Sequence, residues 1–219
     1  MQIKAAIFDM DGTLVDSLGL WDVHWQVFGE RFCNGAKFVP DPESNRRIRT
    51  LPLREAMYLL HEKCGIGETG DEVVQVAEET FRNFYANSVT LKPGMREYLQ
   101  YCKEQGIRTV IASATAPDLI KIAMEHCGVS QYFEEIFSCT TVGKGKESPD
   151  IFLYTQNWLG TKTEETWVFE DSYVALETAQ KIGMPTVGIY DQYNPWQDAV
   201  KKASTVYVGP GESVEKLIK

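Results

Sequence analysis

The chain has 219 residues, 43% of them hydrophobic, enough for one sizeable core and a smaller appended unit. Its 31 acidic residues outnumber 22 basic ones, for a net charge of -9, which argues against a nucleic-acid backbone or an anionic membrane surface as the main partner. Five cysteines (Cys33, Cys64, Cys102, Cys127 and Cys139) are odd in number, scattered and free of any Cys-x-x-Cys spacing. That usage points to free thiols in a reducing compartment. Cys102 and Cys127 fall within apolar helical patterns, where packing is the expected role. No signal peptide precedes the first strand and no apolar run is long enough for a bilayer, so a soluble, cytoplasmic protein is expected.

In chain order, the first element is an apolar strand over 3–8 that gives out at Asp9-Met10-Asp11-Gly12-Thr13. Carboxylates two residues apart at a strand end can project to the same side. Two acids that close repel each other unless a cation or a shared proton compensates. Gly12 then permits a turn that a side chain would hinder. Taken alone, the motif also fits an ordinary acidic loop.

A simple crossover helix does not come next. Residues 17–89 carry helical stripes instead: Trp21, Trp25, Phe28 and Phe32 on one face, Val73, Ala77, Phe81 and Phe84 on a second, and Met57 with Leu60 suggesting a third between them. Pro40-Asp41-Pro42 breaks the first helix from the rest of this segment. The stripes read as core packing of a small helical bundle. His24, His61 and His126 lack metal-ligand spacing and are expected on helix surfaces. Arg46, Arg47, Arg49 and Arg54 form a basic segment in this acidic chain. Arginine suits bidentate recognition of phosphate or carboxylate, and a solvated helix face is the competing reading.

From residue 90 the pattern alternates. A helix over 93–105 precedes a strand over 108–112 that ends at Ser113, and a helix over 117–127 precedes a short strand over 135–138. A helix over 149–159 leads to a strand over 166–169 that ends at Glu170-Asp171-Ser172. A helix to Ile182, a strand over 185–190, a short helix over 196–201 and a strand over 205–208 complete the chain. Alternating strand and helix implies an α/β fold with a parallel sheet. Ligands bind outside the carboxyl ends of such strands, so polar groups at three strand ends converge on one rim.

Lys146 stands just before Ser148, which reads as a helix N-cap, and Pro149, which reads as the first helical residue. A cation there opposes the helix dipole unless an anion sits between them. Lys144 is the nearby alternative.

The ordered set Asp9-Met10-Asp11-Gly12-Thr13, Ser113, Lys146 before Ser148-Pro149-Asp150, and Glu170-Asp171 resembles the four motifs of the haloacid dehalogenase superfamily. It is similar to the phosphatase branch containing phosphoglycolate phosphatases and β-phosphoglucomutases. The resemblance implies a Rossmann-like parallel core over 1–16 and 90–219, with a helical cap over 17–89 inserted after the first strand. It casts Asp9 as the nucleophile that forms a phosphoaspartate, and Asp11 as general acid and then base. Ser113, Ala114 and Thr115 would donate to phosphate oxygens, and Lys146 would offset the charge of Asp9 and phosphate. Mg²⁺ would be held by Asp9, the Asp11 backbone carbonyl, Asp171 and Glu170, the last directly or through water. Arg54 sits roughly where the branch places an arginine that reads the substrate.

The function implied is a Mg²⁺-dependent phosphatase of a small phosphorylated metabolite such as a sugar phosphate or a phosphoglycolate-like compound, acting as a monomer. A β-phosphoglucomutase-like hexose-phosphate mutase is the alternative. Against it, Trp21 and Ala116 occupy positions where that pattern has a histidine and a lysine. A binding module without catalysis would be expected to lose one of the motif acids, and all are present.

Overall fold

A computed structural model describes residues 3–48, 51 and 53–218. In chain order the elements are β1 (Ala5–Phe8), α1 (Leu20–Phe32), α2 (Pro42–Ile48), α3 (Leu53–Cys64), α4 (Gly70–Asn87), α5 (Met95–Glu104), β2 (Arg108–Ser113) and α6 (Pro117–His126). Then come β3 (Ile136–Ser138), α7 (Cys139–Val142), α8 (Asp150–Leu159), β4 (Thr166–Glu170), α9 (Tyr173–Lys181), β5 (Thr186–Ile189), α10 (Gln197–Lys202) and β6 (Val206–Val208). The chain divides into two compact units, one of residues 1–18 with 89–219 and one of residues 19–88.

In the first unit the strands form a single six-stranded sheet of order β3-β2-β1-β4-β5-β6, parallel throughout. Every residue of β1 is buried, as a parallel strand covered on both faces requires. Ile7 packs on one face with Val110, Phe152, Leu159, Val168 and Ala175. Phe8 points to the other face, where its ring stacks on Phe169 at 4.4 Å and meets Tyr98 edge-on. Phe8 pairs with Ile111 of β2 and with Phe169 of β4. That register sets the carboxyl ends of the three central strands level, so residues just past Phe8, Ala112 and Phe169 share one rim. Burial raises the Cys102 thiol to about 12, in keeping with packing rather than reactivity.

The second unit holds α1 to α4 around a core that includes Trp25, Phe28, Phe38, Met57, Leu60, Val73 and Ala77. Thr69 caps α4, accepting from the Glu72 N–H at 3.1 Å. One sequence expectation is extended here and another needs correction. The Pro40-Asp41-Pro42 break also starts a helix: Asp41 Oδ1 accepts from the Glu43 and Ser44 N–H groups, and Pro42 opens α2. His24, expected on a helix surface, is completely buried. Arg49 lies outside the described residues, as does the side chain of Arg46. Among the described residues no helix is long and apolar enough to cross a membrane.

Candidate active site

Asp9 follows β1 directly, and its N–H donates to the Phe169 carbonyl at 3.0 Å, tying the first motif to β4. Lys146 Nζ donates to Asp9 Oδ1 and to Glu170 Oε1. Lys144 instead pairs with Asp150 at 2.9 Å, with an exposed side chain. The carboxylates of Asp9, Glu170 and Asp171 each place an oxygen within 4.8 Å of the others, and all three residues are buried. Helix α8 begins at Asp150 with Pro149 in the cap position, one residue later than the sequence suggested. Ser148 donates to the Asp150 carboxylate rather than capping the helix.

These groups perturb one another strongly. Burial raises the Asp9 carboxyl to about 7 against the opposing pull of Lys146, with Glu170 and Asp11 adding to the rise. Asp171 is pushed well above the carboxylate range by burial and then by the charges of Glu170, Asp9 and Asp191. Burial works against the Lys146 ammonium, but Asp9 and Glu170 together hold its pKa above the usual lysine value. One lysine thus faces three buried acids. Oxygen donors clustered this closely with surplus negative charge fit a hard divalent cation.

The turn after Asp9 supplies the remaining pieces. Leu14 and Val15 N–H groups donate to the Met10 carbonyl at 2.9 and 3.0 Å, and Gly12 takes a φ of 77°. A Cβ on Gly12 would lie 2.7 Å from Asp171 Oδ2, so both conformation and space demand glycine. Asp11 is half-buried, with one carboxylate oxygen accepting from Ser17 Oγ at 2.6 Å and the other from Thr115 Oγ1 at 2.7 Å. Ser113 Oγ, at the end of β2, accepts from the Thr115 N–H at 3.2 Å, which leaves its own proton available to a ligand. Ala114 beside it is exposed.

Residues 6–189 match the family described as haloacid dehalogenase-like hydrolase. The chain belongs to that family. It is 26% identical over 216 residues to the phosphorylated carbohydrates phosphatase of Thermotoga maritima, covering 98% of both chains. To hexitol phosphatase B of Escherichia coli K12 it is 29% identical over 189 residues, 85% of this chain and 83% of that one. The crystal structure of CbbY from Rhodobacter sphaeroides in complex with phosphate shares the fold, with a TM-score of 0.75 at 23% identity over 94% of this chain and 93% of that one.

In this haloacid dehalogenase-like hydrolase, β1, β2 and β4 and the segment before α8 bring Asp9, Ser113, Lys146, Glu170 and Asp171 to one rim, with Asp11 and Thr115 joined beside them. Arg54 is different. It lies on α3 in the helical unit, where its guanidinium donates to Asp71 at 2.6 Å and to Tyr58 at 3.2 Å, largely in solvent. Three partners of the site escaped sequence reasoning, Ser17, Asn194 and Asp191, and Thr13 was read only as the end of the first motif. Thr13 Oγ1 donates to Asp171 Oδ1 at 3.4 Å, and Asn194 Nδ2 donates to the Asp171 carbonyl at 2.7 Å. Asp191 is wholly buried and paired with Lys92. The one available signal was that Asp191 comes just after the fifth strand, whose carboxyl end shares the same side of the sheet.

Proposed function

We propose that this hydrolase is a Mg²⁺-dependent phosphatase that releases inorganic phosphate from a small phosphorylated carbohydrate through a phosphoaspartate on Asp9. The observation that carries the proposal is the buried grouping of Asp9, Lys146, Glu170 and Asp171 with a hydroxyl-held Asp11 alongside. The named phosphatase relatives support the same chemistry.

An Asp9 carboxylate oxygen attacks phosphorus as the bond from phosphorus to the carbohydrate oxygen breaks, and Asp11 delivers a proton to that leaving oxygen. Asp11, now ionised, takes a proton from water as the water oxygen attacks phosphorus and the bond to Asp9 breaks, which restores both acids. Ser17 and Thr115 hold the Asp11 carboxyl in place through this exchange. Lys146 favours the ionised form of Asp9 against the cost of burial, and the Ser113 hydroxyl donates to a phosphoryl oxygen, as does the N–H group of Ala114. Mg²⁺ held by Asp9, Glu170, Asp171 and the Asp11 carbonyl would screen the charge between nucleophile and phosphoryl group. The helical unit, 17–89 as read from the sequence, carries the residues that distinguish substrates, Arg54 among them. The enzyme works as a monomer in the cytoplasm, a setting consistent with cysteines that are all free among the described residues.

A panel of phosphorylated sugars, hexitols and phosphoglycolate, assayed for phosphate with Mg²⁺ and with EDTA, tests the reading. Mg²⁺-dependent release is expected; turnover that survives chelation would sink the cation site. With β-glucose 1-phosphate and a trace of the bisphosphate, free phosphate or no reaction is expected, because Trp21 and Ala116 lack the polar groups of the mutase pattern. Glucose 6-phosphate appearing faster than phosphate would make the protein a mutase.

A further inference from the structure

The segment after β5 is built around a single aspartate. Asp191 Oδ1 accepts from the Tyr193 N–H at 2.8 Å, and the Asp191 carbonyl accepts from the Asn194 N–H at 3.1 Å. The other Asp191 oxygen accepts from Lys92 Nζ, whose side chain is 10% exposed. Gln197 Nε2 clasps the far side, donating to the carbonyls of Asp191 at 2.8 Å and Asn194 at 3.2 Å. The result is a rigid polar turn whose neighbours Tyr193 and Trp196 remain exposed. A surface loop does not need a buried ion pair to hold it.

What the turn presents is the Asn194 amide, and both ends of that amide are assigned by their partners. Its nitrogen faces the Asp171 carbonyl at 2.7 Å, which can only accept, and its oxygen accepts from the Trp196 N–H at 2.9 Å. Asp171 stands in the short link between β4 and α9, and Ser172 caps α9 without a side-chain hydrogen bond. Gly12 approaches the Asp171 carboxylate so closely that no Cβ would fit. The Asp171 peptide is thus gripped by Asn194 while its carboxylate is confined by the Gly12 turn.

We infer that Asn194 is a positioning residue for the Asp171 carboxylate, and that the Lys92–Asp191 pair anchors the turn from which it acts. The inference rests on the proposed cation site. A group that orients a metal ligand from behind typically changes metal affinity by 10- to 100-fold when removed.

The test is Mn²⁺ binding, followed by electron paramagnetic resonance, with Mg²⁺ as competitor, on wild type, Asn194→Ala, Asn194→Asp and Asp171→Asn. Asn194→Asp retains the acceptor for Trp196 but loses the donor to Asp171. Its added negative charge would by itself tighten cation binding. We expect both Asn194 variants to bind Mn²⁺ about tenfold or more weakly. We also expect kcat at saturating Mg²⁺ to fall less than the half-saturating Mg²⁺ concentration rises. Asn194 variants that bind as tightly as wild type, while Asp171→Asn does not, would overturn the positioning role. If Asp171→Asn also binds normally, the cation site itself fails, and this inference with it.

Discussion

The rim of the α/β unit buries charge, whereas the core of the helical unit buries aromatic rings. At the rim Asp9, Glu170, Asp171 and Asp191 are buried, and each has an assigned partner in Lys146, Lys92 or a neighbouring hydroxyl. In the helical core the buried polar ring of His24 has neither nitrogen hydrogen-bonded. It lies instead against Trp21, Trp25, Phe28 and Phe81, with ring centroids 4.1 to 5.7 Å away. Burial alone drives its pKa down to about 3, so it packs there as a neutral aromatic ring. The two regions answer the cost of burying polarity in opposite ways. Acids held against a lysine or a hydroxyl mark where chemistry happens; an imidazole left without a hydrogen bond marks packing.

Variants can break that contrast. The largest effect is expected for Asp9→Asn, which removes the nucleophile and one acidic oxygen of the cation site. Phosphate release should fall by at least about 10³-fold, on the scale of other lost nucleophiles. Thermal stability should hold or rise, because one of three crowded acids is neutralised. A purified variant with full activity would end the nucleophile assignment.

Next in size is Lys92→Met. It leaves the Asp191 charge buried without its cation, an arrangement that costs about 3–5 kcal/mol. Urea denaturation of the α/β unit should show a loss of that order, and adding Asp191→Asn should recover most of it. A single variant as stable as wild type would mean the pair is not what anchors the turn.

The smallest effect concerns His24. Its folded pKa lies near 3, below the ordinary 6.5, so the unfolded chain binds the proton that the folded chain refuses. The stability contributed by the neutral ring is therefore full above pH 6.5 and is lost as pH falls from there toward 3. At pH 5 the loss amounts to about 2 kcal/mol, taking roughly 1.36 kcal/mol per pH unit. His24→Leu should be less sensitive to acid over that window in a pH series of denaturation curves. An unchanged pH profile would show that the ring gains a proton without unfolding.

Much of the site was legible because its residues sit where runs of apolar residues end. Asp9, Ser113 and Glu170-Asp171 each terminate a strand, and Lys146 stands just ahead of a helix. Ser17 offered no such mark, and Thr115, expected to donate to phosphate, instead has its hydroxyl on Asp11 and its N–H on Ser113. Their hydroxyls matter because both reach the carboxylate of Asp11, 6 and 104 residues away. His24 did carry a signal that was overlooked. It lies three residues after Trp21 and four before Phe28, inside the stripe that faces the core, and its polar class obscured its position.

By itself the sequence determined the alternation of strand and helix, the inserted helical bundle, and the order of four motifs that placed the chain among haloacid dehalogenase-like hydrolases. These are legible because apolar periodicity and strand-end spacing are local properties of neighbouring residues. Only the tertiary structure decided that β1 lies between β2 and β4, and that Lys146, the lysine the motif pointed to, reaches both Asp9 and Glu170. It alone brought Asn194 onto the Asp171 carbonyl. Those contacts depend on where crossovers return the chain and on how buried charges find partners, which no stretch of sequence records locally.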